Sequence, residues 1–142
     1  MKIYFLTICF LMTVFNLKAQ TDEDGVRNAL QGYIDGSSYN NPEKILAPFY
    51  EDARMFLSKK DQPIYVLSAQ EYAALFAKRE KGKFNGRVGT VLYVDIANDI
   101  ALAKVEISIP KENLRFIDIF ILKKLEGDWK IISKAATRMP EE

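Results

Sequence analysis

Hydrophobic positions along this chain are spaced by three and four near its start and alternate with polar ones over most of its second half. In DEDGVRNALQGYIDGSSY (22–39), Val26, Leu30, Tyr33 and Ile34 form one helical stripe behind acidic residues suited to a helix N-terminus. Gly36 and Ser37-Ser38 loosen its end. NPEKILAPFY (41–50) predicts a second, short helix with Asn41 as cap and Pro42 at the first helical position. ARMFLS and PIYVL flank the polar link SKKDQ and read as a hairpin. SAQEYAALFAKRE (68–80) predicts a third helix: Ser68 and Glu71 make a capping box, Tyr72, Leu75 and Phe76 the apolar stripe. Lys78 and Arg79 suit its C-terminal end, and Gly82 closes it. RVGTVLYVDIA and IALAKVEISI then alternate about the turn Asn98-Asp99, and LRFIDIFILKK and WKIISKAATR about Glu126-Gly127-Asp128. Two helices, a hairpin, a helix and a four-strand antiparallel meander make an α+β domain.

Asp118 interrupts an apolar strand, and a lone buried carboxylate costs several kcal/mol unless it is paired, hydrogen-bonded or neutralised. Side chains alternate across a strand, so its direction can be followed from hairpin to hairpin. A two-residue turn at Asn98-Asp99 sets Leu92 opposite Val105 and Val94 opposite Ala103, with Thr90 on the same apolar face. A four-residue loop at PKEN (110–113) then sets Phe116 opposite Ile107 and Asp118 opposite Val105. Asp118 therefore points to the apolar side between Phe116 and Phe120, unless a one-residue bulge intervenes. Lys134, on the next strand, is the candidate partner. A two-residue turn at Glu126-Gly127 would place it on the opposite face, a three-residue turn on the same one.

The other side of the same strand carries Arg115, Ile117, Ile119, Ile121 and Lys123, a second apolar row. A strand apolar on both sides needs cover on both. Helices supply one cover, and a second copy of the chain packed on the convex face is the expected other.

The ends and the composition narrow the function. Residues 1–19 have a basic start at Lys2, an apolar run from Ile3 to Phe15 and a small residue, Ala19, at the end. That is the pattern of a secretory signal, and the run is short for a membrane span. Cleavage would leave residues 20–142 as one domain, exported to the periplasm or the exterior. Cys9 lies within that leader and is the single cysteine, so the mature chain has none, and histidine is absent throughout. Zinc and copper sites lose their usual ligands, and Ser-His and Cys-His nucleophiles are excluded. No cofactor is implied. Losing Lys2 and Lys18 moves the formal charge from +1 to about −1, and no basic face suggests nucleic acid. No second stretch reaches membrane length, so no membrane partner is expected after cleavage.

Three segments carry a resemblance: ALQGYIDG in the first helix, KILAPFYEDARMF entering the first strand, and FIDIFILKKLEGDWKIISK at the end. The chain resembles the nuclear-transport-factor-2-like (SnoaL-like) superfamily, most of all the family labelled "putative lumazine-binding". The resemblance implies a cone: a curved, mostly antiparallel sheet enclosing a pocket with about three helices from the N-terminal half. The superfamily includes ketosteroid isomerases, in which a tyrosine and a protonated aspartate form an oxyanion hole. Matching through FYEDARM and FIDIF places Tyr33 and Asp118 at those two positions. The general base of those enzymes would fall at Leu57, and the nearest acid is Asp61 in the hairpin link.

Each candidate has two readings. Asp118 is either a neutral donor in a ligand pocket or half of an ion pair with Lys134. Tyr33 is a polar contact in the pocket or a core tyrosine, and Trp129 packs on the sheet. Phe56, Tyr65, Tyr72 and Phe76 either line the mouth of the cone or fill its core; Phe116 and Phe120 flank Asp118. Glu51-Asp52 reads as a solvated turn rather than a metal site, and Arg138 as a surface charge or an anion contact. The expected function is binding of a small, partly apolar molecule in the cone, without catalysis. An acid-base enzyme using Asp118 and Tyr33 is one alternative, and an interaction domain with a filled cone is the other.

Overall fold

The structure, a computed structural model, describes residues 21–140. The expected leader, with Cys9, lies outside the described residues. Helix α1 (Asp22–Ser38) begins in a capping box that the sequence reading did not include: Asp24 N–H donates to Thr21 Oγ1 at 3.1 Å, and Thr21 N–H to Asp24. Its predicted stripe of Val26, Leu30, Tyr33 and Ile34 is buried. Helix α2 (Pro42–Leu46) is capped by Asn41, whose Oδ1 accepts from Lys44 N–H at 3.1 Å. It lies so close to α1 that a Cβ on Gly36 would come within 2.5 Å of Ile45 N, which is why a glycine stands there.

Strands β1 (Phe49–Lys59) and β2 (Gln62–Ser68) form the hairpin. Helix α3 (Ala69–Ala74) is shorter than expected, although Ser68 and Glu71 do form its capping box. Beyond Ala74 the chain tightens into i→i+3 turns, such as Phe76 N–H to Ala73 O at 3.0 Å. Lys78, Arg79 and Glu80 are exposed and give a longer helix no face to bury. Instead the segment is stitched to the end of α1. Asn40 Nδ2 donates to the carbonyls of Glu80 and Lys83, and Gly82 N–H donates to Tyr39 O at 2.7 Å.

The meander follows as β3 (Val88–Ala97), β4 (Ile100–Ile109), β5 (Leu114–Leu125) and β6 (Asp128–Arg138). One sheet of six strands runs in the order β2-β1-β6-β5-β4-β3, antiparallel except where β1 lies parallel to β6. The fold is α+β, with the helices on the concave face of an open, curved, mostly antiparallel sheet. Trp129 seals one end: it is buried against α1 at Gly25, and its Nε1–H donates to Asp22 Oδ1 at 3.1 Å.

Two bulges alter the predicted register. Val94 pairs with Ala103 as expected, but Val91, not Leu92, pairs with Val105. Leu92 is the extra residue, half-exposed, and Val91 takes the inward place. Between β5 and β6 the turn is the two-residue form, with Glu126 and Gly127 both at positive φ and Leu125 paired with Asp128. Counting back from it would send Lys134 outward. However, Leu122 pairs with Ile131 and Ile121 with Ser133, so Ile132 is supernumerary and Lys134 turns inward. The β4–β5 pairing, Phe116 with Ile107 and Asp118 with Val105, is as predicted.

Candidate functional site

One row of the concave face runs Met55, Lys134, Phe120, Ala103 across β1, β6, β5 and β4, and the next carries Asp118 and Val105. Tyr33 descends from α1 onto these rows, edge-on to Phe120 with ring centroids 5.2 Å apart. Tyr72 enters from α3. The four polar groups meet in the interior: Lys134 Nζ donates to Asp118 Oδ2 at 2.8 Å and to Tyr33 OH at 2.9 Å. Tyr33 OH donates to Asp118 Oδ2 at 3.2 Å. With its proton spent there, Tyr33 must accept at 3.0 Å from Tyr72 OH, so one hydroxyl uses one donor and two acceptor sites. Lys134 and Asp118 are each only 2% exposed, so the pair stands in a low-dielectric interior where each charge needs the other. The ammonium also lies 4.8 Å from the Tyr72 ring centroid and 5.1 Å from that of Tyr33.

Burial works to lower the Lys134 pKa, but the Asp118 carboxylate, helped by Tyr33 and Tyr72, outweighs it and holds the ammonium above the ordinary lysine range. Burial pushes the Tyr33 phenol well above its usual value, against the pull of Lys134. Asp118 thus meets a cation and accepts two hydrogen bonds; the neutral-donor geometry of an oxyanion hole is absent here. Of the two predicted alternatives the ion pair is the one present, and it borders open space. A cavity of about 220 Å³ at the mouth of the cone is lined by Asp118, Lys134, Tyr65, Tyr72, Phe116 and Leu57. Three larger grooves, of about 570, 510 and 310 Å³, lie elsewhere; the first two run beside lysines and carboxylates, and the third lies between the β4–β5 loop and Met139-Pro140. Of these four, among the described residues, the smallest is the one that reaches the buried polar network.

The candidates chosen from sequence separate into three places. Asp118, Phe116 and Tyr72 stand on the cavity wall. Tyr33 and Phe120 lie beneath it, fully buried in the core. Phe56 is a correction: its neighbours Met55 and Leu57 face inward, so strand alternation sends Phe56 to the outer face, 38% exposed and paired with Val66. Phe76 is buried against Tyr72, with ring centroids 5.4 Å apart. Arg138 is exposed at the rim, Trp129 packs on the sheet, and Glu51 and Asp52 are solvated within β1.

Arg87 was not foreseen. Its side chain joins the cavity wall, and its Nε is buried with no hydrogen-bond partner among the described residues. With Leu92 taken as inward, alternation would have pointed Arg87 outward; the bulge reverses that parity. Asn85-Gly86, a turn ending at positive φ just before β3, is the only local sign that Arg87 opens a strand.

A family model described as "Putative lumazine-binding" matches residues 21–135. The chain belongs to that family. Among solved structures, this member of the "Putative lumazine-binding" family is similar to a nuclear-transport-factor-2-like protein of unknown function from Shewanella baltica OS155. The two are 21% identical, with a TM-score of 0.73 over 83% of this chain and 94% of that one. A second such protein of unknown function, from Methylobacillus flagellatus KT, is 25% identical, with a TM-score of 0.71 over 84% and 93%. A ketosteroid isomerase-like protein from Erwinia carotovora atroseptica is 13% identical, with a TM-score of 0.60 over 84% and 99%. The comparison with curated proteins gave no match. These likenesses establish the nuclear-transport-factor-2-like cone and leave the chemistry to the site.

Proposed function

We propose that this protein binds a small, partly apolar molecule at the mouth of its cone and performs no chemistry on it. The observation that carries this reading is an open cavity of about 220 Å³ walled by Tyr65, Tyr72 and Phe116 on one side and by a buried ion pair on the other. Apolar walls with a few fixed polar groups are what small-molecule sites require. The volume falls below the range of about 300 to 1,000 Å³ usual for drug-sized ligands, which points to a ligand of about one ring. Family membership supports the same reading.

Acid-base catalysis fits less well. Asp118 is the one carboxylate among the described residues on the wall, and Lys134 and Tyr33 occupy its Oδ2. At the place where the isomerases would hold a base stands Leu57, itself on the wall, and Asp61 is exposed in the β1–β2 turn. A proton cannot be carried between carbons without a base in reach. Export of the mature domain rests on the leader pattern of residues 1–19. A homodimer through the convex face rests on Phe56 and Val66, apolar side chains that the sheet leaves exposed beside the row of Ile119 and Ile121.

Ligand-observed NMR with benzoate, benzamide, phenol and indole tests the binding reading. At least one probe should bind the wild type and lose binding in Ala136→Phe, which fills the cavity from its wall. Indifference of every probe to Ala136→Phe would remove the site and favour a filled interaction domain.

A further inference from the structure

Resting on the cavity as a binding site, we infer that its ligand is a small carboxylic acid whose carboxylate is held by Arg87. The charges on the wall do not balance. Asp118 is the one carboxylate on the wall among the described residues; it is bonded to Lys134 at 2.8 Å and also attracts Arg87, so two cations share one negative charge.

Arg87 is also held in place. Its backbone N–H donates to Asn85 Oδ1 at 3.1 Å, fixing the turn that opens β3. Its guanidinium lies 5.8 Å from the centroid of Phe76, which in turn packs on Tyr72. Its Nε is nonetheless buried without a partner. A buried donor left unsatisfied is costly, and native interiors seldom keep one without a reason. Nε–H and a neighbouring Nη–H form a fork that matches the two oxygens of a carboxylate, so a bound acid would satisfy the donor and balance the charge together. Tyr65 and Tyr72 offer aromatic surface for the remainder of the molecule, and the cavity of about 220 Å³ limits that remainder to a single ring or a short branched chain. The ligand class is therefore a monocyclic or short-chain monocarboxylate. The neighbouring Asp118 Oδ2 is already taken by Lys134 and Tyr33.

Calorimetric titration with benzoate and with benzamide, its uncharged counterpart, is the test, run on the full mature domain and on Arg87→Met and Arg87→Lys. Wild type should bind benzoate at least tenfold more tightly than benzamide. Arg87→Met should lose that tenfold preference while keeping its benzamide affinity. Arg87→Lys should bind benzoate at intermediate strength, because an ammonium keeps the charge but lacks the planar fork. The melting temperature of Arg87→Met should fall little, since Nε has no protein partner and Tyr33, the side chain Arg87 does meet, keeps its bonds to Asp118, Lys134 and Tyr72; a large fall would show that Arg87 is structural and would overturn the inference. Equal binding of the two probes, or unchanged benzoate binding in Arg87→Met, would overturn the carboxylate and leave the cavity as a neutral-ligand site. Failure of both probes and of phenol and indole would remove the binding reading itself.

Discussion

Lys134 and Asp118 illustrate how a buried charge serves structure without being chemically idle. Removing one partner leaves the other uncompensated, so Lys134→Met alone should destabilise the domain by about 3–5 kcal/mol. The double variant Asp118→Leu with Lys134→Met should recover most of that loss, because a matched apolar pair avoids both desolvation costs. Urea unfolding of the two single variants and the double variant measures this. The pH dependence has a definite sign. Both the Lys134 and Tyr33 pKa values are raised in the folded state, so their protonated forms favour folding. Stability is complete below the unfolded values near 10 and falls as pH rises past them, because the unfolded chain then binds fewer protons. Urea midpoints between pH 8 and 11.5 should show that decline, and it should be shallower in Lys134→Met. The inward direction of Asp118 was legible in the sequence, since the loop at 110–113 preserves the assumed pairing with Val105. Arg87 was not legible: it belongs to no motif, and its direction depends on a bulge several residues away.

Both bulges act as switches of strand parity, and each turns one cation toward the interior. Leu92 does so for Arg87 and Ile132 for Lys134. Hydrophobic periodicity identifies the strands because it reflects burial, but it cannot locate one extra residue when both candidates are apolar, as Val91 and Leu92 are. The bulged register makes an unusual claim about those neighbours. Leu92→Asp, at a half-exposed position, should change stability by less than about 0.5 kcal/mol. Val91→Asp, facing Val105 and the core, should cost at least about 2 kcal/mol. Thermal melts of the two variants check this, and the reverse ranking would restore the regular ladder. Helix α3 shows the complementary limit. Its start was readable from the Ser68–Glu71 box, whereas its end depends on the contacts of 75–83 with α1, which no local pattern announces.

The sheet as a whole has two faces with different fates. Helices cover the concave one, while Val66, Phe56, Ala135 and Ile119 form an apolar stripe across β2, β1, β6 and β5 on the other. Phe56, expected at the pocket, belongs to this stripe, and a second copy of the chain is the proposed cover. Sedimentation equilibrium should give a dimer for the mature protein and a monomer for Phe56→Glu, whose charge would be desolvated in the interface; a wild-type monomer would contradict the proposal. The α+β order, the convex row and the inward Asp118 could all be read before any coordinates, because they follow from alternation and helical spacing. The cavity could not, because open space depends on how curvature, α3 and two bulges combine. A crystal structure of the mature protein soaked with benzoate, benzamide and phenol tests the central claim most directly. The account predicts a probe resolved between Tyr72 and Phe116, beside an intact Lys134–Asp118 pair; side chains closing that space, with every probe absent from it, would contradict the account.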